Sequence, residues 1–204
     1  MLEHPSIWRY SFSVTSIRYG VTMNSDNPTS AGNQQETGLD KLDPSWVVGF
    51  VDGEGCFSVS VHSNRLARPT EGWHIQPTFQ VSQHIDHQSI LEALISFFGC
   101  GRVRLKGPQS DVAVYSVYST KQLVERVIPF FEQHSLRVKR DDFEKFARIV
   151  RAVRTREHHR PEVFTEVVRL AYTMNLRGKQ RSRPIEEILP GSSETVRQAP
   201  IDHR

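Results

Sequence analysis

The chain has 204 residues, 37% hydrophobic and 24% charged, with a formal net charge of +3 and two cysteines. This composition is enough to bury one proper core, and it excludes low-complexity and collagen-like chains. Two separated cysteines exclude a disulfide scaffold or a cysteine zinc site, and no run of about 18 apolar residues is present to span a bilayer.

In chain order, residues 1–42 are polar and mixed, with N-S-D-N-P-T-S and G-N-Q-Q-E-T tracts, and read as a disordered leader. No apolar secretory segment lies there; a weak organellar transit signal survives, Glu3 counts against it, and Met23 is an alternative start. Asp43-Pro44 then opens a helix predicted over 44–53, because Asp caps well and Pro suits the first helical position. Val47, Val48, Phe50 and Val51 give it an apolar body. Gly49 and Gly53, one turn apart, each cost about 0.5–1 kcal/mol against alanine. Their spacing puts both on one face, where a second backbone can come close. Glu54 follows at the helix C-terminus, where the macrodipole disfavours a carboxylate. Two copies meeting across the glycines would bring two Glu54 carboxylates together, and a divalent cation would relieve their repulsion. Oxygen ligands of this kind favour Mg²⁺ (or Mn²⁺) over zinc.

Strands are predicted over 56–63, 73–83, 102–106 and 112–119, with helices over 87–98, 120–133, 139–156 and 161–175. The order αββαββα with extra C-terminal helices is an α+β pattern carrying a four-stranded antiparallel sheet. In the second strand Trp73, Ile75, Phe79 and Val81 alternate with His74, Gln76, Thr78, Gln80 and Ser82. In the first, Ser58, Ser60 and His62 alternate with Phe57, Val59 and Val61; Arg102, Arg104 and Lys106 share one parity in the third. Glutamine suits adenine, and arginine suits guanine O6/N7. Three strands with such rows make one sheet face a DNA-reading surface, although a polar face alone is ordinary for an antiparallel sheet. Cys56 and Cys100 read as reduced core residues. His158-His159, adjacent on a helix, face about 100° apart and cannot chelate together.

Residues 137–183 hold 14 Lys/Arg and 6 Asp/Glu, net +8, an electrostatic footprint for phosphate. Residues 43–176 are the expected folded domain, and 177–204 a basic linker (R-G-K-Q-R-S-R) and loose tail with a short helical turn near 185–189.

The string Gly49-Phe50-Val51-Asp52-Gly53-Glu54-Gly55 resembles the signature of the LAGLIDADG homing endonucleases, with Glu where Asp is commoner. The likeness continues through P-T-F-Q-V-S-Q (77–83), G-C-G-R-V-R (99–104), V-I-P-F-F (127–131) and L-R-V-K (136–139), and it is similar to the single-motif, homodimeric branch. The resemblance implies that Glu54 and the Gly53 carbonyl hold metal, and that Gln83 orients solvent. It implies that Lys139 stabilises the scissile phosphate or activates water. It places Trp46, Gly49, Phe50 and Gly53 at the dimer contact. The saddle-shaped sheet would lie in the major groove of double-stranded DNA. His74, Gln76, Thr78, Gln80, Arg104 and Lys106 fall at base-contact positions, with Ser58, Ser60 and His62 beside them and His87 and Asp111 as peripheral members. The implied activity is intron-encoded, site-specific double-strand cleavage at a long pseudo-palindromic site, leaving short 3′ overhangs. The alternative is a non-cleaving DNA or RNA binder, including an intron maturase whose partner is intron RNA. An intracellular setting is expected, in a bacterial cytoplasm or an organelle, with no membrane partner.

Overall fold

The computed structural model describes residues 41–63, 72–177 and 183–189. Residues 1–40 of the leader expected over 1–42, residues 64–71 with Arg65 and Arg68, residues 178–182 of the basic linker and the tail from 190 lie outside the described residues.

Helix α1 (Pro44–Glu54) starts as its sequence dictates: Asp43 Oδ1 accepts from the backbone N–H of Ser45 at 2.8 Å and of Trp46 at 3.1 Å. It runs one residue past the predicted end, so Glu54 is the last helical residue. Strand β1 (Gly55–Ser63) begins immediately, with no loop. A Cβ on Gly55 would lie 2.6 Å from both the carbonyl oxygen and Cγ1 of Val51, so only glycine lets the strand leave the helix this tightly.

Strand β2 (Trp73–His84) is central, followed by a 3₁₀ turn (Ile85–His87) and α2 (Gln88–Phe98). Strands β3 (Arg102–Leu105) and β4 (Val112–Val117) complete an antiparallel sheet of order β1-β2-β4-β3. Between α2 and β3, Gly101 has φ +91°, and a Cβ there would collide with the Tyr115 ring. That close approach lets the Tyr115 hydroxyl donate to the Cys100 carbonyl at 2.9 Å inside the core, and burial pushes the phenol's pKa up.

One sheet face is apolar and packs on helices. Phe57 stacks on Phe79 with ring centroids 5.1 Å apart, and Phe131, Phe143 and Phe146 meet Phe57 at 5.3–5.5 Å. The expected helix over 120–133 is broken into α3 (Thr120–Gln122), a π-helical segment (Leu123–Val127) and α4 (Ile128–Gln133). The physical reason is Pro129. It has no N–H to offer and its ring would crowd the Glu125 carbonyl, so the ladder widens and Ile128 N–H bonds Leu123 O. Helix α5 (Arg140–Arg154) buries Phe143, Phe146, Ala147, Ile149 and Val150 at helical spacing. Helix α6 (Pro161–Tyr172) packs beside it. The short α7 (Met174–Arg177) and α8 (Ile185–Ile188) follow.

Cys100 is buried as expected, but Cys56 is only half-buried; both are free thiols. Burial and the Asp142 carboxylate push the Cys56 thiol's pKa up, against the lowering effect of Lys139. At the outer edge of β1, Asn175 Nδ2 donates to the Phe57 carbonyl at 2.8 Å and Asn175 N–H donates to Asp142 Oδ1 at 3.1 Å. At Phe57 this edge is therefore met by a side chain instead of being left open for another strand.

Candidate functional site

The second face of the sheet is polar and solvent-facing, and register sets it out in rungs. His62 stands opposite His74, Ser60 opposite Gln76, and Ser58 opposite Thr78. Gln80 sits between Cys56 on one side and Ser116 on the other, and Ser116 in turn faces Arg102. Ser82, Val114 and Arg104 make the next rung. Ser60, His62 and Arg104 are exposed, and His74, Gln76 and Gln80 are half-buried. The His62 and His74 rings lie 4.9 Å apart; burial first, then the neighbouring His74, pulls the His62 pKa below its ordinary value.

Thr78 needs correction. It belongs to this face by register but is only 6% exposed, so in the free protein it is not presented to a ligand. Ser58 is half-buried, its hydroxyl donating to the Thr78 carbonyl at 3.4 Å. The outward position beside them falls to Tyr118, just past the end of β4. Its ring has the Arg102 guanidinium 4.9 Å from its centroid, and its hydroxyl accepts from Gln80 Nε2 at 3.4 Å. Tyr118 was not singled out from the sequence; the only signal was its continuation of the parity of Val112–Val117.

At the α1–β1 junction the Glu54 carboxylate is exposed. Residues 137–139, more than 80 positions away in the chain, are bound to the same junction. The Asp52 carboxylate accepts the backbone N–H of Arg137 at 2.8 Å and of Val138 and Lys139 at 3.1 Å each. Lys139 Nζ then donates to the Asp52 carbonyl and, at 3.0 Å, to the Gly53 carbonyl. Asp52 is thus the device that brings Lys139 to the Gly53 carbonyl, one residue before Glu54, a role the sequence reading did not assign. The Gly53 carbonyl, expected as a metal ligand, already accepts from Lys139 and has one further lone pair to offer. Among the described residues no three His, Cys, Asp or Glu side chains gather as a metal cage.

Gln83 pairs with Ala113 two residues beyond Gly55↔Val81, the last β1–β2 pair, at the end of the sheet where α1 meets β1. His87 is exposed at the start of α2, and Asp111 is exposed with its carbonyl accepting from Ile85 N–H at 2.8 Å; both sit at the β2 C-terminal end. Lys106 is exposed just past β3, its N–H donating to Val112 O at 2.8 Å.

One face of α1 is uncovered. Trp46 is 44% exposed and stacks on Phe50 at 4.8 Å, while Gly49 and Gly53 are exposed and a Cβ on either would meet nothing within 4 Å. His158 and His159 lie on a 3₁₀ turn with rings 4.4 Å apart. The His158 Nδ1 lies 3.2 Å from the Ala152 carbonyl. Among the described residues no helix is long and apolar enough to cross a membrane.

The profile of the LAGLIDADG endonuclease family matches residues 47–150. Homing endonuclease I-ApeII of Aeropyrum pernix is 30% identical over 148 residues, which is 71% of this chain and 86% of that protein. The crystal structure of the homing endonuclease I-TnaI superposes with a TM-score of 0.62 at 37% identity, covering 73% of this chain and 95% of the other. The meganuclease I-SmaMI bound to uncleaveable DNA superposes with a TM-score of 0.63 at 28% identity. There 66% of this chain matches 46% of the longer protein.

Proposed function

This chain belongs to the LAGLIDADG endonuclease family, and we propose that it is a site-specific DNA endonuclease working as a homodimer, with Mg²⁺ or Mn²⁺ bound between two copies. The observation that carries this is the direct junction of α1 and β1, which holds Glu54 and Lys139 at the end of a sheet whose free face is a ladder of hydrogen-bonding side chains. I-TnaI, which this chain nearly spans, is a homing endonuclease, and I-SmaMI was crystallised on DNA.

The roles follow from chemistry. Two copies would pair through Trp46, Gly49, Phe50 and Gly53, related by a two-fold axis, so each reads one half of a pseudo-palindromic site of roughly two helical turns. The sheet face (His62, His74, Ser60, Gln76, Gln80, Arg102, Arg104 and Lys106) meets base edges and phosphates. Glu54 from each copy, with the Gly53 carbonyl, is an oxygen donor set suited to a hard divalent ion, which supplies charge neutralisation at the phosphate and a more acidic water. Lys139, held over the Gly53 carbonyl, offers a second positive charge to the phosphate as charge develops in the transition state. Gln83 at the end of β2 is an uncharged hydrogen-bonding group for orienting solvent.

The test is cleavage selection with purified protein and Mg²⁺ on a plasmid library carrying the empty insertion site rebuilt from the gene's flanks, with Glu54→Gln as control. Specific double-strand cutting by wild type alone, with binding kept in the control, is the expected result. Tight binding without cutting in Mg²⁺ or Mn²⁺ overturns the nuclease and directs attention to intron RNA.

A further inference from the structure

The two glutamines of β2 differ in what they can offer a base. The β2–β4 ladder ends at the Phe79↔Val117 pair, so beyond it the carbonyls of Pro77 and Tyr118 have no further rung of paired strand. Gln76 Nε2 fills that gap, lying 3.0 Å from the Pro77 carbonyl and 3.0 Å from the Tyr118 carbonyl. Both partners can only accept, so the assignment of nitrogen and oxygen in this carboxamide is dictated by chemistry: the reverse orientation would set oxygen against two oxygens. Both amide hydrogens are used, and Oε1 is the only group left. Gln80 is different. Its Nε2 lies 3.2 Å from the Ser116 hydroxyl and 3.4 Å from the Tyr118 hydroxyl. Hydroxyls both donate and accept, so the Gln80 carboxamide can turn over and present either end.

A two-point contact to adenine needs a donor for N7 and an acceptor for N6. Gln76 has no donor to give without releasing two carbonyls. Resting on the proposal that the sheet faces DNA, we infer that Gln76 is a pure acceptor that selects an amino-bearing base, adenine N6 or cytosine N4, at one position of each half-site. Guanine O6 and thymine O4 would meet it oxygen to oxygen. The general expectation that glutamine picks adenine therefore fits Gln80 but not Gln76.

The test uses the full-length protein and the site found by the cleavage selection. Duplexes carrying each of the four bases at every half-site position are cut by wild type, Gln76→Ala and Gln80→Ala. At one position adenine and cytosine should be cut at similar rates, on the order of tenfold faster than guanine or thymine. Gln76→Ala should flatten that position and no other; Gln76→Met, of similar length without the polar end, replaces it if the alanine variant does not fold. Adenine alone preferred at the Gln76 position, a guanine or thymine preference there, or an unchanged profile in the variant overturns the inference while leaving the endonuclease standing. Failure of wild type to bind or cut any DNA overturns both.

Discussion

Removing the Asp52 carboxylate should uncouple Lys139 from the α1–β1 junction. Asp52→Ala deletes three backbone hydrogen bonds, of 2.8, 3.1 and 3.1 Å, that hold residues 137–139. Asp52 is half-buried, so water can replace part of what is lost, and each bond contributes about 0.5–1.5 kcal/mol net. The sum is about 2–3 kcal/mol, which lowers Tm by roughly 5–10 °C for a domain of this size. The catalytic effect is separable. A displacement of about 1 Å in a positioned group costs on the order of 10²-fold in rate, so kcat on saturating DNA should fall by about 10–100-fold. Kd for DNA should change little, since the reading face is untouched. Thermal unfolding, filter binding and single-turnover cleavage measure the three quantities. If Asp52 works through Lys139, then Asp52→Ala combined with Lys139→Met should cut no slower than Lys139→Met alone. Additive rate losses, or an Asp52→Ala protein that cuts at the wild-type rate, would refute the positioning role.

Gly49→Leu should leave the protomer folded, because nothing lies within 4 Å of a Cβ there, yet abolish the dimer by sedimentation and abolish cutting. A stable, active dimer would remove this face from the interface. Gly101→Ala combines φ +91° with a collision at the Tyr115 ring and should cost about 2–4 kcal/mol, read as a lower urea midpoint. Stability should also fall in acid through His158. Burial first, with His159 and His74, holds its pKa below the ordinary 6.5, against the raising effect of the Ala152 carbonyl. The unfolded chain therefore binds the proton more readily. The contribution is full above pH 6.5 and is lost as pH drops through the lower folded value. Urea midpoints at pH 7.5 and about 5.5 should separate more for wild type than for His158→Gln.

The elements that were legible in the sequence were those set by local rules. Asp43-Pro44 started α1 where it should, and period-two alternation assigned Val81 and Gln80 to opposite faces of β2. The features that were not legible depend on distance along the chain. Asp52 finds its partners 85–87 residues away, and no spacing rule joins them. Thr78 follows the polar parity, but alternation says which face a residue takes and not how deeply its neighbours cover it. The break in the 120–133 helix did have a local signal, Pro129, whose effect on the carbonyl four residues earlier outweighs the apolar periodicity of Leu123, Val127 and Phe131.

The absence of any loop between Glu54 and Gly55 has an evolutionary consequence. The acid ends a helix and the next residue opens a strand, so with the proposed roles of Glu54 and the sheet face the offset between cut and recognised bases would be set by backbone, not by side chains. Substitutions along β1 to β4 would then follow a drifting target one base at a time, while the place of the break would stay put. Under those roles recognition would be free to diverge, and the geometry of the broken ends, on which repair depends, would be inherited unchanged.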